Sequence, residues 1–135
     1  MGFYVAKQTV KKIIAAGKDV SKSKVLVMGA TFKENVEDIR NSKVSDVVKE
    51  LTSYGVTVEV SDPRANSDEL KHEYGFELVK TLGKDYDAVI VAVNHDEFKS
   101  LNEEWFASAL SKDGLVVDLK GTLKGKIKKL NYWSL

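Results

Sequence analysis

An apolar run, Val25-Leu26-Val27-Met28, stops at Gly29, and a polar loop follows before a helix opens at Ser42. A strand without polar alternation is what a parallel sheet covered on both faces requires. The loop between strand and helix carries Lys33, Asp38 and Arg40. Two cations just beyond the carboxyl end of a buried strand suit an anionic small molecule. The glycine spacing of an ordinary dinucleotide site is absent, because Ala30, Thr31 and Phe32 follow Gly29. The segment therefore describes a nucleotide-type crevice that grips phosphate with side chains rather than with bare backbone.

The rest of the chain repeats the same alternation. Met1 to Ala16 reads as a helix, with Phe3, Val5, Ala6, Val10, Ile13 and Ile14 near helical spacing and Gly17 as its cap. Residues 18–24 form a lysine-rich linker. Ser42 to Tyr54 is a helix with Ser42 as N-cap and Val44, Val47, Val48 and Leu51 on its apolar face. Val56 to Val60 alternates Val with Thr and Glu, as a more exposed strand does. Asp62-Pro63 turns the chain, Ser67 to Tyr74 is a short helix, and Phe76 to Val79 is a small edge strand. Ala88 to Val93 is the most apolar strand and is expected at the centre. Asn102 to Leu110 is helical, Gly114 breaks it, and Leu115 to Asp118 is a further buried strand. Residues 120–135 read as a polar, basic tail ending in aromatics. The expected fold is α/β: a Rossmann-like parallel sheet flanked by helices and preceded by one extra helix. Residues 25–135 form the domain, and the helix of residues 1–17 is expected to stand apart, as an arm that packs on something else or as the end of a longer helix.

Bulk properties narrow the function. The chain has 135 residues, 43% of them hydrophobic and 30% charged, enough for one domain with a real core. Its 21 Lys and Arg against 20 Asp and Glu leave a net charge of +1, which argues against a dedicated nucleic-acid binder. No apolar run approaches the roughly 18 residues of a membrane span. Cysteine is absent, which removes disulfides and thiolate chemistry and suits a reducing compartment. His72 and His95 are far apart and lack cysteine partners, so metal ligation is unsupported.

Ligands of open parallel sheets bind beyond the carboxyl ends of the strands. Those ends supply Thr31, Phe32 and Lys33, then Ser61, Asp62 and Arg64, then Asn94, His95 and Asp96, and last Asp118 and Lys120. Convergence of Lys33, His95 and Lys120 on one crevice would suit a phosphate or a sugar phosphate. Each residue also has a plainer reading. Lys33 suits a solvated loop, Arg40 a pair with Asp38 or Glu37, Asp62 a turn, His95 a loop hydrogen bond, and Lys120 a basic tail.

The order Gly29-Ala30-Thr31-Phe32-Lys33, then Asp38-Ile39-Arg40-Asn41-Ser42, resembles the G-x-x-F-K-x-x-x-x-D-x-R-x-S signature of the UDP-glucose/GDP-mannose dehydrogenase family. In that family the signature belongs to the carboxyl-terminal, UDP-binding domain. Asp62-Pro63 matches the family's second strand end. Met1 to Ala6 looks like the end of the family's long central helix. The run Ala92 to Phe98 and the aromatics Tyr132-Trp133 look most like the branch acting on UDP-N-acetylhexosamines.

The resemblance implies an oxidoreductase that converts a sugar C6 alcohol to a carboxylate with two NAD, in the cytoplasm, for surface polysaccharide precursors. It implies that Phe32, Lys33 and Lys120 bind the UDP-sugar and that Arg40 reaches NAD held by an amino-terminal partner domain. The family's catalytic cysteine lies in the part that precedes this region, so this chain is expected to be a fragment, inactive alone, from an enzyme that dimerises through its central helix. The contrasting expectation is a stand-alone Rossmann-like module that binds a nucleotide or a protein and regulates.

Overall fold

The structure, a computed structural model, describes residues 2–40 and 42–135. Met1 of the expected first helix and Asn41 of the signature loop lie outside the described residues. Among the described residues the helices are α1 (Gly2–Ala15), α2 (Val44–Ser53), α3 (Ser67–Tyr74) and α4 (Glu103–Ala109). The strands are β1 (Lys24–Met28), β2 (Thr57–Ser61), β3 (Tyr86–Val91), β4 (Leu110–Asp118) and β5 (Asn131–Ser134). They form one parallel sheet in the order β2-β1-β3-β4-β5. The expected α/β architecture holds, and the most apolar strand, β3, is central.

Alternation along the strands divides the core into two layers. Val25, Val27, Ala88, Ile90, Leu115 and Val117 face α1 and α2. Leu26, Met28, Val89, Val91 and Val116 face α4 and the segment carrying Leu123 and Ile127. Both faces are therefore covered, which is why β1 and β3 tolerate no polar alternation. At the exposed edge, β2 keeps its alternating Thr and Glu.

Three expectations need correction. The first helix is not an arm. Val5, Ala6, Thr9, Val10 and Ile13 are buried against the sheet and α2, and residues 1–17 and 25–135 share one core. Gly2 permits the close crossing, since a Cβ there would lie 2.6 Å from the Asp46 Cβ. On the same helix Val10 is buried, while Phe3 and Ile14 are exposed. Second, Phe76 to Val79 makes a single bridge, Val60 to Leu78, rather than a strand. Third, the tail is not featureless. Residues 131–134 pair with β4 as the last strand, and Trp133 packs against Tyr4 of α1 with ring centroids 6.2 Å apart. The short strand carries little period-two signal beside its lysine-rich approach, and pairing with the β4 edge is what orders it.

The linker is also tighter than expected, with a 3-10 turn at Val20–Lys22 capped by Asp19. Gly17 does end α1, in the left-handed region at φ 81°. There its amide and that of Lys18 satisfy the carbonyls of Ile14 and Ile13.

Candidate functional site

A cleft of about 200 Å³ opens where the carboxyl ends of β1, β3 and β4 meet the start of α2. Phe32 and Glu34 enter it from the loop after β1, and Val93 from the loop after β3. Lys120 enters from the turn after β4, and Lys43 and Val44 from the head of α2. The walls are mostly apolar, with two lysines at the mouth. Lys43, not the expected Ser42, is the N-cap of α2 and makes no side-chain cap hydrogen bond, while Ser42 Oγ accepts the Val44 N–H at 3.3 Å. The positive end of that helix adds to the two ammonium groups. One carboxylate oxygen, Glu34 Oε2, is buried without a hydrogen-bond partner. A ligand hydroxyl or N–H would satisfy it.

Gly29 makes this arrangement possible. It sits at φ 97°, and a Cβ there would fall within 2.7 Å of the Val93 backbone. The end of β1 and the loop after β3 thus approach too closely to leave room for a side chain at position 29.

Of the residues singled out in the sequence, Phe32 and Lys120 line the cleft. Lys33 is exposed and outside its lining, with its carbonyl accepting the Thr31 hydroxyl at 2.9 Å. Arg40 is also exposed and forms a two-point pair with Asp38, Nε to Oδ1 and Nη2 to Oδ2, both 3.0 Å. The Arg40 guanidinium, and its backbone N–H, hold the Asp38 carboxyl below its ordinary range. A pair so exposed costs little to open. The expected convergence of Lys33, His95 and Lys120 fails at two of the three: Lys33 lies outside the lining, and His95 is fully buried beneath the loop.

Three of the loop's amides are already used. Ala30 N–H donates to Asp62 Oδ2 at 2.6 Å, Phe32 N–H to the Asp38 carbonyl at 2.6 Å, and Asn35 N–H to His95 Nδ1 at 2.9 Å. A dinucleotide pyrophosphate needs such amides free. Asp62, which stands where a ribose-reading acid would stand, is buried and also accepts the amides of Arg64 and Ala65. With these groups engaged and no second glycine following Gly29 in the loop, the residues do not form the glycine-rich cradle of a dinucleotide pyrophosphate.

Sequence reasoning missed Glu34 and Lys43. Lys43 was readable as the residue after a helix-opening serine. Nothing local marks Glu34, because its burial depends on where the loop folds. Among the described residues, no three His, Cys, Asp or Glu side chains are placed to hold a metal ion. No described helix is long and apolar enough to cross a membrane.

Fold and cleft together define a Rossmann-like α/β domain with a mostly apolar cleft, lined in part by Lys43 and Lys120, beyond the ends of its strands. Residues 26–125 match the model of the UDP-glucose/GDP-mannose dehydrogenase family, UDP binding domain, and the chain belongs to that family. It is 42% identical over 124 residues to the UDP-N-acetyl-D-glucosamine 6-dehydrogenase of Salmonella typhi, covering 91% of this chain and 29% of that protein. It is 32% identical to the UDP-N-acetyl-D-mannosamine dehydrogenase of Methanococcus vannielii, covering 96% of this chain and again 29% of the relative. Among solved structures, the UDP-N-acetyl-mannosamine dehydrogenase of Staphylococcus aureus superposes with a TM-score of 0.74 at 28% identity, over 98% of this chain and 30% of that one. The chain thus spans less than a third of the length of these relatives.

Proposed function

We propose that this chain is the substrate-binding part of an NAD-dependent nucleotide-sugar 6-dehydrogenase, the cleft taking the UDP portion of a UDP-N-acetylhexosamine. The observation that carries this is the placement of Phe32, Lys43 and Lys120 around one cleft at the strand ends of a family UDP-binding domain. In this reading the lysines and the head of α2 balance the diphosphate charge. Phe32 offers an apolar surface to the base. Glu34 Oε2 accepts from a hydroxyl or N–H of the ligand. Lys33 reaches the ligand from outside the lining.

Oxidation of the sugar C6 alcohol to the carboxylate, with two NAD reduced, requires groups this chain lacks, since it has no cysteine. Those groups, and the main NAD site, are assigned to an amino-terminal domain. Arg40 is assigned to the edge of that cofactor, where opening its pair with Asp38 frees the guanidinium. The intact enzyme is proposed to dimerise through the helix that ends in α1 and to make precursors of surface polysaccharides. Lack of cysteine suits the cytoplasm as its compartment.

Calorimetric titration of the chain with UDP, GDP and uridine tests the reading. UDP is expected to bind more tightly than the other two. Failure of UDP to bind at millimolar concentration, or equal binding of GDP, would overturn it.

A further inference from the structure

His95, buried beneath the loop after β1, is unused by the cleft. Its Nδ1 accepts the Asn35 N–H at 2.9 Å. A ring nitrogen that accepts carries no proton, so the neutral ring is protonated at Nε2. Nε2 lies 2.9 Å from Asp62 Oδ2 and 3.2 Å from Thr31 Oγ1. The Thr31 hydroxyl donates to the Lys33 carbonyl, so toward Nε2 both Thr31 Oγ1 and Asp62 Oδ2 can only accept, and the nearer, carboxylate oxygen of Asp62 is the main acceptor of Nε2–H. Asp62 is itself fixed at the end of β2 by three backbone amides. Carboxylate, imidazole and loop amide thus form a buried chain that begins at one strand end and finishes on the loop.

Asn35 receives that chain and two further bonds. Its φ of 63° is a left-handed conformation that asparagine tolerates better than most residues. Its carbonyl accepts from Arg64 Nη1 at 3.2 Å, and its Oδ1 accepts the Asp96 N–H at 2.8 Å. Phe32, Lys33 and Glu34 lie between Thr31 and Asn35, the two residues of this loop that meet His95.

We propose that His95 is a positioning residue: through the Asn35 amide it holds the segment of Phe32, Lys33 and Glu34 against the cleft, and so raises affinity for a nucleoside diphosphate that it never touches. The proposal rests on the reading of the cleft as the UDP site. The Asp62 carboxylate selects the tautomer, and the tautomer leaves Nδ1 free to accept. Ordering the loop before the ligand arrives removes that entropic cost from binding.

Two substitutions separate the two ends of the imidazole. His95→Asn keeps an acceptor near the Nδ1 position and drops the contact with Asp62. His95→Gln keeps a donor near Nε2 and drops the acceptor. The 135-residue chain is compared by amide hydrogen exchange at Asn35 and by UDP titration. His95→Gln is expected to speed Asn35 exchange selectively, with core amides such as Val89 unchanged, and to weaken UDP roughly tenfold, the loss of about one hydrogen bond. His95→Asn is expected to restore most of both. Equal behaviour of the two variants would overturn the proposal. So would a wild-type ring found by nitrogen NMR to carry its proton on Nδ1, a measurement that needs no variant to fold. If wild-type chain does not bind UDP, the reading of the cleft fails, and Asn35 exchange alone decides whether His95 orders the loop.

Discussion

A β-carbon on Gly29 would lie 2.6 Å from the Val93 β-carbon, closer than two such atoms pack. Gly29 also holds φ at 97° while its amide donates to the Ser61 carbonyl at 2.8 Å. Gly29→Ala is therefore expected to cost both the left-handed conformation and the displaced loop, together roughly 2–5 kcal/mol. Urea unfolding measures it. A loss below 1 kcal/mol by that assay would mean that the β1 and β3 loops can separate freely.

Lys120 lines the cleft and Lys33 stands outside it. If both meet the ligand's phosphates, each change to alanine removes a charge-assisted hydrogen bond, which weakens UDP by roughly ten- to a hundredfold. The loss should shrink at high salt. Lys124→Ala, on the exposed turn after β4, serves as the control and leaves affinity unchanged. If Lys33→Ala binds UDP as wild type does, Lys33 has no part in the site.

Tyr86 and Tyr132 both have phenols pushed up to about 12. Burial is the main cause in each. The neighbouring acceptors add to it, Glu59 Oε1 for Tyr86 and Asp118 Oδ2 for Tyr132, each at 2.7 Å. Because the folded values are raised, the stabilisation is complete below pH 10, the unfolded value, and is lost as pH rises through about 12. Each phenol contributes at most roughly 2–3 kcal/mol. Unfolding followed from pH 8 to 12 should show a steep alkaline decline, and the Tyr86→Phe, Tyr132→Phe double variant should flatten it. An unchanged slope would sink the assignment.

Asp87 ties together the opposite end of the sheet. Burial opposes its charge, but the Lys24 amide, Lys18 Nζ and the Ser111 hydroxyl, at 3.0, 3.0 and 2.8 Å, outweigh burial and lower its pKa. Its stabilisation is present above the ordinary aspartate range and lost as pH falls through the lowered value. Asp87→Ala is expected to cost about 1–3 kcal/mol at neutral pH. UDP affinity should not change, because Asp87 is remote from the cleft, and a large loss of affinity would contradict that separation.

The elements of this fold were legible because their signals are local. Val25–Met28 and Ala88–Val91 are apolar without interruption, Val44, Val47, Val48 and Leu51 recur at helical spacing, and Gly17 and Asn102 stand where helices end and begin. The spacing from Gly29 to Ser42 also marked the loop that builds one wall of the cleft. None of this depends on which strand lies beside which.

What the sequence could not determine is what that adjacency creates. α1 packs on the sheet through Val5, Ala6, Val10 and Ile13, and Gly2 lets it cross α2 closely at Asp46, while β5 exists because β4 offers an unpaired edge. His95 looked like a crevice group, yet strand order buries it between Asp62, Thr31 and Asn35. Sequence alone settled where the four helices and the apolar cores of β1, β3 and β4 lie. Tertiary structure decided which of those side chains face the cleft and which are spent holding it in shape, because hydrogen-bond partners 33 and 60 residues apart in the chain meet only after the strands have assembled.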